Sequence, residues 1–277
     1  MQEYFENSIT FFGKGVHYNK ETRMTVIPQS EGGIVFHRTD IKCEPIIAHY
    51  TNVHQMQLST TIGTKEETVS TIEHLMAALY YFNLKNAKIF IDGPEIPLMD
   101  GGSNDFIFGI EMLQIPEQKT KKLFLKKEIS VKFNDSYINA KPKNHFEVSF
   151  KIEFQNSPIG VQSNQFNELT HNFKDAISYA KTFGHTAQIE QMNAKGICLG
   201  GDIFSAIIFN DTEILSPPYT YSKMDFVRHK ILDFIGDIHI TDFEIKGSFE
   251  CHKSSHALNN ALLREIFSNK DNFEIIN

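Results

Sequence analysis

The 277-residue sequence has no tryptophan and only three cysteines. Three scattered cysteines are too few for a disulfide framework or a cysteine-based zinc site, so a reducing, cytoplasmic environment is expected. No apolar stretch approaches the roughly 18–20 residues that a membrane helix requires. The N-terminal residues include acids where a signal peptide would have bases, so secretion is not expected.

Basic residues are also in deficit. Lys and Arg number 27 against 34 Asp and Glu, which gives a net charge of −7. A general nucleic-acid binder needs a basic face to neutralise phosphate, so nucleic acid is not an expected partner. A local lysine pocket for one phosphorylated ligand stays open. The length suits two modest domains or one large domain.

The apolar pattern predicts an α+β protein with two β-rich halves. In the first half, a helix is predicted over Ser70–Phe82, with Ser70 and Glu73 as a capping-box pair. A polar linker follows at Pro116–Lys122, so we predict domains over residues 1–117 and 123–277. The other predicted elements are strands at Ala87–Asp92, Leu123–Phe133, Tyr137–Lys141, Phe146–Phe154 and Phe204–Phe209, and helices near Asn104–Leu113 and Phe173–Lys181.

Two segments predict the same order of elements. TIEHLMAALYYFNLKNAKIFIDG and FVRHKILDFIGDIHITDFEIKG both read as helix, short turn, strand and glycine, with histidine at the fourth position. A duplication would place His74 and His229 at corresponding positions. The two histidines would then approach each other across the interface between the two halves.

The second of these segments gives the strongest indication of a site. His229, Asp233 and Asp237 recur every four residues and so lie on one face of the predicted helix. An open catalytic zinc site needs three N or O ligands and a nearby base, and His74 would complete a ligand set with His229 and Asp233. Spacing alone indicates a candidate metallohydrolase, because such pairs also arise by chance.

Each neighbouring residue has both a structural and a functional interpretation. Glu73 is either the capping partner of Ser70 or a general base beside a metal. His256 is either a neutral histidine near a helix N-terminus or a general acid supported by Asp237. Thr182 alone would be a β-branched residue at a helix end.

Seven segments in order resemble the UDP-3-O-acyl-N-acetylglucosamine deacetylases of lipid A biosynthesis: GKGVHYNK, STIEHLMAAL, DGPEIPLMDGG, KTFG, GICLGG, FVRHKILDFIGD and HKSSHALNN. The resemblance implies two similar α+β domains, each a small β-sheet packed on a pair of α-helices, with the active site at their interface. It implies hydrolysis of the N-acetyl group of UDP-3-O-acyl-N-acetylglucosamine to give acetate and a free amine. It also implies a monomer.

The resemblance assigns a role to each site residue. His74, His229 and Asp233 match the ligands of one zinc ion per chain, a donor set that also admits ferrous iron. Glu73 matches the general base. The other catalytic matches are His256, which protonates the departing amine, Asp237, which orients His256, and Thr182, which helps hold the oxyanion. Ser255 replaces the glycine that is usual before this histidine.

Substrate-binding residues follow from the same resemblance. Lys230 and Lys253 resemble lysines that meet the diphosphate, and Phe154 resembles an aromatic residue that stacks on uracil. Lys141 and Glu153 are assigned to the same region as Phe154. His17 belongs to the N-terminal motif that approaches the site.

The resemblance also implies an inserted βαβ unit at about residues 183–210 that receives the 3-O-acyl chain. Its apolar lining is predicted to consist of Ile197, Leu199, Ile203 and Ile207.

Two alternative functions accompany the deacetylase hypothesis. A non-catalytic nucleotide-sugar or acyl-chain binding protein on the same scaffold would be indicated by loss of a ligand or of Glu73. A zinc amidase with another substrate would be indicated by weakened Lys230, Lys253 and Phe154 positions. All of these residues are present, so the deacetylase is the leading hypothesis.

Overall fold

The computed structural model describes residues 6–56, 58–197 and 199–276. Its first half contains strands β1 (Ile9–Lys14), β2 (Glu21–Pro28), β3 (Ile34–Arg38), β4 (Ile46–Ile47), β5 (Val53–Gln55), β6 (Thr61–Gly63), β7 (Thr68–Val69) and β8 (Ala87–Ile91), and helices α1 (Glu73–Tyr81) and α2 (Asn104–Ile110). The second half contains strands β9 (Lys121–Leu125), β10 (Ile129–Phe133), β11 (Ser136–Lys141), β12 (Phe146–Phe154), β13 (Gly160–Asn167), β14 (Thr182–His185), β15 (Ala206–Phe209), β16 (Phe243–His252) and β17 (Phe273–Ile276). Its helices are α3 (Phe173–Ala176), α4 (Thr186–Asn193), α5 (Asp225–His239) and α6 (His256–Ser268).

The two main sheets have the same topology. The first has the order β1-β2-β8-β3-β4 and the second has the order β10-β11-β16-β12-β13, extended by β9 and β17. In each sheet the strand that follows the helix, β8 after α1 or β16 after α5, is parallel to one neighbour and antiparallel to the other. The duplicated α+β fold predicted from the two helix–turn–strand segments is confirmed.

Each sheet has its own pair of helices, and the two pairs meet at the centre of the molecule. Helix α1 contacts α2, α5 contacts α6, and α1 packs along α5. The apolar face of α5 is buried, and its members are Val227, Ile231, Phe234, Ile235 and Ile238. These residues belong to one hydrophobic core that spans both halves. All strands of the first sheet precede residue 117 and all strands of the second follow it, and we propose the domain boundary there.

Gly236 allows the close approach of α5 to α1. A Cβ atom placed on Gly236 would lie 2.0 Å from the carbonyl oxygen of Glu73. A backbone oxygen inside a helix cannot rotate away, so any side chain at this position must separate the two helices.

Gly236→Ala is therefore expected to lower the free energy of unfolding by about 1–2 kcal/mol. Alanine gains roughly 1 kcal/mol over glycine in a helix, but overpacking a well-packed core costs up to about 3 kcal/mol. Urea denaturation measures the difference. An unchanged or higher unfolding midpoint would mean that helix propensity outweighs the clash and would contradict the prediction.

Helix α1 begins later than predicted, and the predicted capping box is wrong. Thr71 has a left-handed backbone, and among the described residues no side chain caps the helix. The Ser70 hydroxyl donates instead to Pro94 O, and the Glu73 carboxylate accepts from Thr60 N. A local sequence pattern was outweighed by pairing of Ser70 with Glu95, which is distant in sequence.

Other differences concern the second half. The strand predicted over Leu123–Phe133 is two strands, β9 and β10, and the helix near Phe173–Lys181 is limited to α3. Thr182 begins strand β14 instead of ending a helix. Strands β14 and β15 are parallel and flank α4, which gives the βαβ unit that the resemblance implies. Cys198 lies outside the described residues.

Within the described ranges, none of the helices combines the length and the apolar character that crossing a bilayer would require.

Candidate active site

Three buried side chains meet where α1 packs against α5. His74 is the second residue of α1, and His229 and Asp233 lie one turn apart on α5. Asp233 Oδ1 is 3.3 Å from His229 Nε2 and 3.7 Å from His74 Nε2. The packing of the repeated helices thus brings together the residues proposed from spacing and from the internal repeat.

These three residues fit a divalent metal ion. Tetrahedral nitrogen and oxygen ligands about 2.0–2.1 Å from zinc are roughly 3.3–3.4 Å apart, close to the separations observed from Asp233. His229 Nδ1 lies 3.1 Å from Ala180 O, which makes Nδ1 the donor and leaves the Nε2 lone pair available. Asp233 Oδ1 is buried and has no hydrogen-bond partner among the described residues. A buried carboxylate oxygen facing two imidazole nitrogens indicates a position for a cation.

The protonation states of His229 and Asp233 suit metal binding, which requires neutral histidine and ionised carboxylate. Burial lowers the pKa of His229 to about 3. Burial disfavours ionisation of Asp233, but His229 and Lys230 hold the pKa of its carboxyl well below the usual range. Lys230 Nζ donates to Asp233 Oδ2 at 2.7 Å. Burial opposes protonation of His74, but Asp233 and Glu73 raise its pKa.

A second buried group lies directly beside the first. It consists of Glu73, Asp237 and His256, whose carboxylate and imidazole atoms lie within 4.8 Å of one another. His256 Nδ1 donates to Asp237 Oδ2 at 2.7 Å, and His256 Nε2 lies 4.0 Å from Asp233 Oδ2. The Nε2 atom of His256 therefore lies on the side of the ring toward the candidate metal ligands.

Burial and neighbouring charges set different protonation tendencies in this group. Burial raises the pKa of Glu73 above that of an ordinary carboxyl. Burial opposes protonation of His256, but the carboxylates of Asp237 and Glu73 outweigh it and raise the pKa to about 9. A protonated imidazole next to a carboxyl group whose pKa is raised is an arrangement that acid–base catalysis uses.

The sequence interpretation missed two residues of this network. Thr60 Oγ1 donates to Asp237 Oδ1 at 2.5 Å, and Thr60 N donates to Glu73 Oε2 at 2.9 Å. Asn259 Nδ2 donates to Asp237 Oδ2 at 2.8 Å. The spacing of Asn259, three residues after His256 on α6, was an available signal because it puts both on one helix face. Thr60 immediately precedes the short strand β6 and had no comparable signal.

Ser255 does not disturb the helix start before His256. Its φ is −134° and its ψ is 166°, an extended conformation open to any residue. The absence of glycine at this position therefore causes no backbone strain.

A cavity of about 510 Å³ opens over both groups. Thr182 borders it from the first position of β14, and Thr182 N donates to Gly101 O at 2.8 Å. The other predicted site residues in its wall are His17, Glu73, His74, Lys230, His229, Asp233 and His256. The apolar residues in its wall include Val16, Leu98, Ile189, Met192, Ile203 and Ile208.

Of the four residues predicted as apolar lining, Ile203 alone borders the cavity within the described residues. Strand β15 turns Ile208 toward the cavity and buries Ile207 completely in the core. Side chains alternate between the two faces of a strand, so a prediction without the register selects the wrong neighbour. Ile197 and Leu199 do not border the cavity within the described part of the chain.

Lys141 is not in the region of Phe154, contrary to the prediction. It lies opposite Ser248 of β16, and Ser248 lies opposite Glu147 of β12. Glu147 precedes Glu153 by six residues, which corresponds to roughly 20 Å along the strand. Lys141 Nζ instead lies 3.5 Å from Glu128 Oε1.

Phe154, Glu153 and Lys253 lie at the other end of the second sheet, outside the cavity wall as far as the described residues define it. The Phe154 ring packs edge-on against Phe183, which does border the cavity, with centroids 5.8 Å apart. Glu153 pairs with Lys151 at 2.6 Å. Lys253 N donates to Lys151 O, and its side chain pairs with Asp135.

The fold and the site together are typical of enzymes that carry out metal-assisted hydrolysis. A donor set that can hold a metal ion stands beside an acid–base pair at the junction of two repeated α+β units, as metal-assisted hydrolysis requires. The chain belongs to the UDP-3-O-acyl N-acetylglycosamine deacetylase family, whose sequence model matches residues 2–268.

Curated relatives cover nearly the whole chain. A protein named UDP-3-O-acyl-N-acetylglucosamine deacetylase from Citrifermentans bemidjiense is 37% identical over 279 residues, covering 99% of this chain and 92% of the relative. Proteins of the same name from Nautilia profundicola and Campylobacter fetus are 35% and 34% identical. They cover 99% and 95% of this chain, and 94% and 90% of their own lengths.

Proposed function

We propose that the protein is a zinc-dependent deacetylase that hydrolyses the N-acetyl group of UDP-3-O-acyl-N-acetylglucosamine in lipid A biosynthesis. The observation that carries the proposal is the contact between two buried groups, the His74, His229 and Asp233 ligand set and the Glu73, Asp237 and His256 network. The names of the relatives support the choice of substrate. The donor set suits one zinc ion per chain, and its chemistry also admits ferrous iron.

The residues of the second group divide the proton transfers between them. A zinc ion held by His74, His229 and Asp233 would supply a Lewis acid that polarises the amide carbonyl and acidifies water. Glu73 accepts the proton of the attacking water, a task suited to a buried carboxylate with a raised pKa. The Thr182 hydroxyl donates to the oxyanion that develops on the carbonyl oxygen.

His256 completes the reaction by protonating the leaving group. Its imidazolium donates the Nε2 proton to the departing nitrogen, because an amide does not expel an unprotonated amine. Asp237 accepts a hydrogen bond from His256 Nδ1 and keeps the ring in one orientation. Thr60 and Asn259 donate to the same carboxylate, so Asp237 is held on both oxygens.

The walls of the cavity suit the parts of this substrate. The apolar side formed by the βαβ unit would receive the acyl chain, with Ile189, Ile203 and Ile208 in contact with it. Lys230 and His17 border the polar side, where the sugar and phosphates would lie. Lys253, Glu153 and Phe154 would extend this site toward the sheet edge, and Lys141 is left out because it lies at the opposite end.

Acetate release from UDP-3-O-(3-hydroxyacyl)-N-acetylglucosamine tests the proposal. The protein is freed of metal with a chelator and titrated with zinc, and activity is expected to reach its maximum near one zinc per chain. Substrate binding without acetate release by the zinc-loaded protein would favour the non-catalytic binding protein. Release from acetylated sugars that lack the nucleotide, at equal kcat/KM, would favour an amidase with another substrate.

The rate is expected to fall on the alkaline side as His256 loses its proton. The His256 pKa of about 9 lies above the ordinary value of 6.5, so the donor form is present below pH 9 and disappears as the pH rises through 9. Asp237→Asn removes the first of the charges that raise this pKa and should move the alkaline limb of kcat/KM down by about 1–2 pH units. Asp271→Asn, an exposed change of the same kind, is the control. An alkaline limb that Asp237→Asn leaves in place would contradict the assignment of the acid.

A further inference from the structure

Thr71 has a strained backbone two residues before Glu73. Its φ is +61°, in the left-handed region that a β-branched residue seldom adopts. The residue is buried and sits where the chain enters α1. Strain of this kind persists only where the surroundings hold it, and it is found preferentially at functional sites.

Glu95 is the group that holds Thr71. The Thr71 hydroxyl donates to Glu95 Oε1 at 2.8 Å, and the Glu95 side chain is almost fully buried. The backbone around Glu95 is fixed beside this turn, because Ser70 N donates to Pro94 O at 2.9 Å and Ile96 N donates to Ser70 O at 3.3 Å. The left-handed turn is therefore clamped from a segment more than twenty residues away in sequence.

The same carboxylate organises the loop that brings His17 to the cavity. His17 N lies 3.0 Å from both Glu95 oxygens, and Tyr18 N donates to Oε2 at 3.2 Å. The loop wraps so closely that a Cβ atom at Gly15 would lie 2.1 Å from Glu95 Oε2. One buried carboxylate thus joins the His17 loop to the start of α1.

We propose that Glu95 is a positioning residue for the active site: it holds Thr71 in the left-handed conformation and thereby sets the position of Glu73 and His74 at the start of α1. A change in the Thr71 backbone moves the general base and one metal ligand together. A displacement of about 1 Å at a reacting centre lowers the rate by roughly 10²-fold. The activity part of this inference rests on the proposed function.

Glu95→Gln tests the role because it keeps the size of the side chain but replaces one acceptor oxygen with an amide nitrogen that cannot accept. We expect kcat to fall by about 30-fold with KM within about threefold of wild type. Thr71→Gly should lose less than about threefold, because glycine adopts a positive φ without strain. Glu66→Gln, the same chemical change on an exposed turn, is the control.

The double variant Glu95→Gln/Thr71→Gly distinguishes positioning from general stability. If Glu95 acts by holding the turn, glycine at position 71 should restore kcat about tenfold relative to Glu95→Gln alone. A loss of kcat that glycine does not restore, or a Glu95→Gln variant with wild-type kcat, would overturn the proposal. Should Glu95→Gln fail to fold, Thr71→Val replaces it. Valine has a methyl group in the place of the hydroxyl and cannot donate to Glu95, and an unchanged kcat in that variant would equally overturn the proposal.

Zinc affinity gives a readout that does not depend on the substrate. Competition with a chromophoric chelator should show about tenfold weaker zinc binding in Glu95→Gln and recovery in the double variant, because His74 moves with the start of α1. If the wild type releases no acetate but the zinc affinities follow this pattern, the proposed function fails and the positioning role stands. If the wild type is active and Glu95→Gln changes neither kcat nor zinc affinity, the positioning role is wrong and the proposed function is unaffected.

Discussion

Replacing Glu73 with glutamine is expected to lower kcat by about 10²–10⁴-fold, the range that general base catalysis contributes. Glutamine has nearly the same shape and keeps an oxygen that can accept the hydrogen bond from Thr60 N. It cannot take a proton from water. The candidate metal ligands and the Asp237–His256 hydrogen bond are untouched, so KM and zinc content should remain near wild type.

Steady-state kinetics with metal analysis of the same samples measures this effect. Glu66→Gln should behave as wild type, since Glu66 lies exposed on a turn between β6 and β7. A Glu73→Gln variant that is folded, zinc-loaded and as active as wild type would exclude Glu73 as the base. A variant that has lost zinc would show instead that Glu73 supports the ligand set.

Replacing His229 with alanine is expected to abolish zinc binding at stoichiometric concentrations and to reduce activity by at least about 10³-fold. Only His74 and Asp233 of the ligand set would remain, and an open catalytic zinc site uses three protein ligands. Asp233 would also lose the neighbour closest to Oδ1, an atom that accepts no hydrogen bond within the described ranges. Metal analysis and thermal unfolding with and without zinc give two independent readouts.

Thermal unfolding separates a metal ligand from an ordinary core histidine. Excess zinc at about 1,000 times its Kd would stabilise the wild type by roughly 4 kcal/mol, and it should leave the Tm of His229→Ala unchanged. His54→Ala, at an exposed position, should keep the zinc-dependent rise in Tm. One equivalent of zinc retained by His229→Ala would contradict the assignment of this ligand.

The repeated fold and the meeting of His74, His229 and Asp233 were predictable because their signals are local. His229, Asp233 and Asp237 follow the helical period, and the repeat of helix, turn and strand indicated that His74 is their counterpart. The Ser70–Glu73 capping box is equally local, and it failed because Ser70 pairs with Glu95 from another segment. A local pattern predicts an element only where no distant strand competes for the same backbone groups.

The remaining parts of the site depend on pairing between distant segments. Thr60 reaches Asp237 across 177 positions of sequence. Lys141 was assigned to the wrong end of a sheet because strand order and register cannot be derived from the alternation of side chains alone. Because the register was unknown, Ile207 was also predicted at the cavity wall instead of Ile208.

The candidate metal ligands are divided between the two repeats, His74 on α1 and His229 and Asp233 on α5. A shared ion would therefore link the two repeats. By thermodynamic reciprocity, the factor by which the ion stabilises the α1–α5 contact is also the factor by which loss of that contact lowers the affinity for the ion. Gly236, which is not itself a candidate ligand, would then influence metal affinity through the contact of α5 with α1. In a cell short of zinc, a larger fraction of the molecules would lack the ion and would be less stable. Proteases degrade unfolded molecules, so the supply of zinc would affect the lifetime of the enzyme.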